Sequence, residues 1–125
     1  MAGAKILIVE NDGIISLEIM QILRSRGYKS YAIFSSEDMI KKAQEIKPDV
    51  ILMDIKLNRE EECIKTAIKI REMMNVPIVY LTGCADNSTL NAMKSTKSCA
   101  YIIKPFDEEE LVNTVEMTLN SYKSI

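Results

Sequence analysis

Histidine is absent from this chain. That absence removes the Ser-His-Asp triad and the Cys-His pair, and it removes any phosphohistidine chemistry performed by this chain itself. Whatever the chain does must rest on carboxylates, hydroxyls, lysines or a metal. Cysteine is scarce, and Cys63, Cys84 and Cys99 show no CxxC spacing. Without histidine beside them they make no structural zinc site, and they read as small buried or half-buried apolar residues in a reducing compartment. Aromatic residues make up only 6% of the chain, too few for a stacking platform for single-stranded nucleic acid. The net charge of −2 excludes a basic nucleic-acid footprint. No apolar run reaches membrane-spanning length and no signal-peptide pattern is present, so the expectation is a soluble, cytoplasmic protein without a membrane partner.

What is present is an apolar fraction of 47% in 125 residues, enough for one core and one domain over residues 1–125. Short apolar runs alternate with amphipathic stretches. "AKILIVE", "KSYAIF", "DVILMD", "VPIVYLTG" and "CAYIIKPF" read as strands. Between and after them lie five helical patterns. The first carries Ile15, Ile19, Ile22 and Leu23 at helical spacing and stops near Gly27. The second opens with Ser35 and Asp38, keeps Met39, Ala43 and Ile46 on one face, and stops before Pro48. The third turns Ile64, Ala67, Ile68 and Ile70 inward; the fourth, "NSTLNAMKS", is shorter and weaker; the fifth begins with Asp107 and Glu110 in capping-box spacing. Five strands alternating with five helices predict an α/β domain with a parallel sheet covered on both faces.

The stretch "DVILMDIKLN" poses the chemical question. Asp54 ends a run of four apolar residues, where desolvation of a charge costs most. In an open α/β sheet the working groups lie beyond the carboxyl ends of the strands. Those ends carry Glu10, Asn11 and Asp12 after the first strand, Asp54 on the third, Thr82 on the fourth and Lys104 with Pro105 on the fifth. The oxygens of Glu10, Asn11, Asp12 and Asp54 suit a hard cation such as magnesium. Lys104 supplies a point cation and Thr82 a hydroxyl donor. A metal, a cation and a hydroxyl around one carboxylate suit phosphoryl transfer with Asp54 as nucleophile. Taken singly, each residue has a plainer reading: loop and capping chemistry for Glu10-Asn11-Asp12, a solvated turn for Lys104, strand packing for Thr82.

Together, "ILIVEND", "VILMDIKL", "VYLTG" and "YIIKPF", in this order and at these separations, resemble the receiver domain of two-component response regulators, over essentially the whole chain. The resemblance implies a flavodoxin-like, doubly wound sheet of strand order 2-1-3-4-5. It implies that Asp54 accepts a phosphoryl group from a kinase phosphohistidine, with Thr82 and Lys104 assisting and a cis peptide before Pro105. It assigns Mg2+ or Mn2+ to Glu10, Asn11, Asp54 and the main-chain carbonyl of Lys56. It makes Tyr101 the switch residue, although a strand tyrosine is more often plain packing. The implied partners are a sensor histidine kinase or phosphotransfer protein, and an output domain or downstream protein met through the fourth helix, fifth strand and fifth helix. The chain itself would not be an enzyme with a separate substrate.

Three positions depart from the family pattern. Asn11 stands where an aspartate is usual and brings no charge, which implies weaker metal binding and slower phosphorylation, with Asp12 as partial compensation. Glu62-Cys63 replaces an acid-glycine pair, losing tolerance of positive φ in the loop after the third strand. Lys56, near the phosphoryl position, either stabilises an acyl phosphate or points to solvent. Asn11 leaves a pseudo-receiver, a binding module without the chemistry, as the chief alternative. An aspartate-nucleophile phosphohydrolase needs a second carboxylate where Lys56 stands. A flavin binder needs a phosphate loop that Glu10 and Asp12 would repel.

Overall fold

The computed structural model describes residues 3–10, 12–34, 38–55, 60–83, 91 and 100–123. Its elements are β1 (Lys5–Val9), α1 (Gly13–Ser25), β2 (Lys29–Ile33), α2 (Met39–Ile46), β3 (Val50–Ile55), α3 (Glu60–Met73), β4 (Ile78–Thr82), β5 (Ala100–Ile103) and α4 (Glu108–Lys123). The fourth helix expected from sequence falls outside the described residues, so α4 here is the fifth of the sequence pattern. All strand pairs are parallel, in the order β2-β1-β3-β4-β5. This is the doubly wound α/β sheet that the sequence implied.

The three central strands are buried on both faces, and every residue of β3 and β4 is buried. The edge strands β2 and β5 alternate instead, because solvent reaches one side of each. The sheet divides the core in two. On one side Leu7, Ile51, Met53 and Tyr80 pack under Met39 and Ala43 of α2 and Ile64, Ala67 and Ile70 of α3. On the other, Ile8, Leu52 and Leu81 meet Ile19 and Leu23 of α1 and Leu111, Val115 and Leu119 of α4. Each buried Val, Leu, Ile or Met among them contributes about 1.5–3 kcal/mol by leaving water.

Local chemistry sets the helix ends. Asp12 caps α1, and Gly27 leaves it with φ +90, the left-handed turn a glycine adopts at little steric cost. Lys47 ends α2 with φ 54, its N–H returning to the Ala43 carbonyl at 2.9 Å. Asp107 accepts from the Glu110 N–H at 2.8 Å, as its capping spacing foretold. Ser35 lies outside the described residues, and Asp38, although it precedes α2, makes no side-chain cap.

One expectation about the helix faces is corrected. Ile68 is 37% exposed rather than inward. The buried stripe of α3 runs Cys63, Ile64, Ala67, Ile70, which places its centre away from position 68. Ser16 of α1 is buried although polar, a position hydrophobic spacing does not pick out. Cys63 lies within the helix α3, so its position makes no demand for positive φ.

Tyr28 packs into the α1/α4 side of the core. Burial, and secondarily the Glu116 carboxylate, raise its phenol above the ordinary value of 10.0. The folded state therefore holds the proton where the unfolded chain has begun to release it, so this contribution to stability is present below about pH 10 and is lost as pH rises further. Urea unfolding of the parent should show stability falling above about pH 10, and Tyr28→Phe should flatten that fall. Identical alkaline slopes would contradict this assignment.

Candidate functional site

The β1 ladder against β3 stops at Val9 opposite Met53, while β3 runs on beside β4 with Asp54 opposite Leu81 and Ile55 opposite Thr82. Asp54 therefore stands just past the end of β1, at a notch in the sheet edge. Glu10 follows β1 directly, its N–H bound to the Ile33 carbonyl of β2 at 3.1 Å. Lys104 follows β5, its N–H bound to the Thr82 carbonyl at 2.8 Å. The Lys104–Pro105 peptide is cis.

These three side chains meet. The Lys104 ammonium lies 2.5 Å from Asp54 Oδ1 and 3.7 Å from Glu10 Oε2. Both carboxylates are buried, and the Lys104 side chain is 28% exposed. An aspartate at the end of an apolar strand is thus tolerated because a cation from another strand faces it. Among the described residues, two carboxylates share this one ammonium.

The second oxygen of Glu10 is also held: Asp12 donates its main-chain N–H to Oε1 at 3.1 Å. Asp12 in turn accepts from the N–H groups of Ile14 and Ile15 at 2.9 and 3.2 Å through Oδ1. The acidic stretch after β1 therefore divides its labour. Glu10 belongs to the charged cluster, and Asp12 serves as the helix cap. The plainer capping reading holds for Asp12, and the signal was present in an aspartate just before a helical pattern. Asn11 and Lys56, both assigned to the metal by resemblance, lie outside the described residues.

Thr82 is buried at the end of β4, beside the same notch. Tyr101 is 42% exposed on the outer side of β5. With Ala100, Thr114, Met117, Thr118 and Ser121 it lines a groove of about 380 Å³ between β5 and α4. Sequence reasoning missed one contact: the buried Cys63 thiol of α3 donates to the Asp54 carbonyl at 3.8 Å. Nothing in the linear pattern links positions nine residues apart across a loop.

Glu10 and Asp54 offer hard oxygens converging on one positive centre, which fits a magnesium-type ion held by two carboxylates and water. Among the described residues no cluster of three or more acidic, cysteine or histidine side chains is ready to hold a metal.

The match to known proteins covers nearly the whole chain. A family model described as the response regulator receiver domain matches residues 6–116. The chain is 26% identical over 122 residues to the transcriptional regulatory protein PdtaR of Mycobacterium tuberculosis, covering 97% of this chain and 59% of that protein. It is 31% identical to the N-terminal domain of a response regulator/sensory box/GGDEF three-domain protein from Carboxydothermus hydrogenoformans, with TM-score 0.85, covering 96% of this chain and 97% of that one. A CheY-like receiver domain protein from Methanospirillum hungatei shares the fold at TM-score 0.90 and 23% identity, covering 98% of each chain. The chain spans about half to three-fifths of the length of the curated relatives it matches. Among the described residues no helix is long and apolar enough to cross a membrane.

Proposed function

The chain belongs to the response regulator receiver domain family of two-component signalling, and on that premise we propose that it is a phosphoacceptor switch with Asp54 as its acceptor. The observation that carries this reading is the Lys104 ammonium shared between the buried carboxylates of Asp54 and Glu10. An Asp54 oxygen attacks the phosphorus of a phosphohistidine, the phosphorus–nitrogen bond breaks, and the imidazole leaves and takes up a proton. The product is an acyl phosphate on Asp54. Lys104 offsets charge on the transferring oxygens, and Thr82, at the neighbouring strand end, supplies a hydroxyl donor to one of them. Glu10 and Asp54 are the described residues that would hold a divalent ion, whose chemistry is to neutralise phosphoryl charge.

Phosphorylation replaces the single carboxylate charge of Asp54 with a phosphoryl group carrying about 1.5–2 negative charges at neutral pH, a net gain of up to about one. That charge sits where Lys104 already serves two carboxylates, so it biases the chain between two pre-existing arrangements. Tyr101 and the β5–α4 surface are the route to an output partner, and a histidine kinase or phosphotransfer protein is the donor.

The test is incubation with a small phosphodonor such as acetyl phosphate, with and without magnesium, read by intact mass. The expected result is one added phosphoryl group that requires the metal. An unchanged mass under both conditions would sink this reading in favour of a binding module without the chemistry.

A further inference from the structure

We infer that Asp12 is a positioning residue that acts through Glu10, and that it is neither a metal ligand nor a source of charge for the site. The inference rests on the receiver reading above and deepens it. Five contacts form one chain. The Ile14 and Ile15 N–H groups fix the Asp12 carboxylate at 2.9 and 3.2 Å. The Asp12 carbonyl accepts the Ser16 N–H at 2.9 Å, which binds its peptide into the first turn of α1. With side chain and carbonyl both tied to the helix, the Asp12 backbone is held at φ −89 and ψ 109. Its N–H then reaches Glu10 Oε1 at 3.1 Å, and Glu10 Oε2 faces the Lys104 ammonium at 3.7 Å.

The consequence is a fixed orientation for a buried carboxylate. Glu10 has three side-chain torsions and sits where the sheet has ended. The hydrogen bond at Oε1 constrains them, and Oε2 is directed toward the Lys104 ammonium. Partners that orient a ligating carboxylate typically change metal affinity by about 10–100-fold when removed. A site with two described carboxylates is sensitive to the loss of orientation in one of them.

Three chains are compared: the parent, Asp12→Ala and Asp12→Asn. Asparagine keeps a capping oxygen and loses the charge; alanine loses both. Manganese affinity of the unphosphorylated chain is read by water-proton relaxation, well below the melting temperature, and the phosphorylation rate is read in parallel. Asp12→Ala should bind manganese about tenfold more weakly and take up phosphoryl more slowly, and Asp12→Asn should recover most of both. Loss in Asp12→Asn as deep as in Asp12→Ala would mean the charge acts directly, and would overturn the inference. So would parent-like affinity in Asp12→Ala, which would leave the cap purely structural. A parent that binds manganese and takes no phosphoryl group defeats the receiver reading, while the affinities still judge Asp12. A parent that binds no manganese defeats the positioning claim outright.

Discussion

Replacing Lys104 by methionine should lower the rate of phosphoryl uptake by about 100-fold, in the range seen when one preorganised charge-stabilising group is removed. The reason is geometric. Its ammonium is within 3.7 Å of both carboxylates and touches that of Asp54, the proposed acceptor. Methionine keeps much of the stem and removes the charge. The same change should weaken the fold, because it removes the ammonium that faces both buried carboxylates. Breaking a fully buried pair costs about 3–5 kcal/mol; with the Lys104 side chain 28% exposed, about 2 kcal/mol is expected here. Urea titration at neutral pH reads the stability and acetyl phosphate labelling reads the rate. A variant with parental stability would mean that the ammonium is solvated and unpaired in solution.

Asp54→Asn should give the opposite sign in one measurement and the same sign in the other. Phosphoryl uptake at this position should vanish from the intact mass spectrum, because an amide is no acceptor. Stability should rise, by about 1 kcal/mol, since Glu10 then has the Lys104 ammonium to itself and one desolvated charge is gone. The pair of variants isolates the charge balance of the pocket: removing the cation destabilises, and removing one anion stabilises. If both lower stability equally, the cluster is held by packing and not by its charges. Persistent phosphorylation of Asp54→Asn would move the acceptor elsewhere, with Glu10 the first residue to examine.

The central strands were legible because burial on both faces leaves unbroken apolar runs, as in Ile51–Leu52–Met53 and Ile78–Val79. Edge strands were legible for the opposite reason, their alternation. Strand order was not readable from periodicity and came from the family likeness. Helix faces were readable to within one position: Ile64, Ala67 and Ile70 were correct, and Ile68 was off the stripe because Cys63 counts as apolar in packing. At the site, Glu10, Asp54 and Lys104 were found because an open parallel sheet brings the carboxyl ends of its strands together. Asp12 had both an ion-side and a capping reading, since a carboxylate next to two candidate ligands looks the same in sequence either way. The hydrogen bonds from Ile14 and Ile15 show that it caps α1. The Cys63 contact to the Asp54 carbonyl depends on how α3 docks, which no local pattern encodes.

The notch at the sheet edge ties folding fidelity to chemistry. Because β1 ends opposite Met53, the residue that enters the notch is decided by how β3 is threaded along its neighbours. A slip by one residue turns every side chain of the strand over. It would thrust Met53 or Ile55 into the gap and press the Asp54 carboxylate into the greasy layer beneath α2 and α3. A misthreaded molecule would therefore be both inert and unstable, so an assay of phosphoryl uptake doubles as a count of correctly threaded chains.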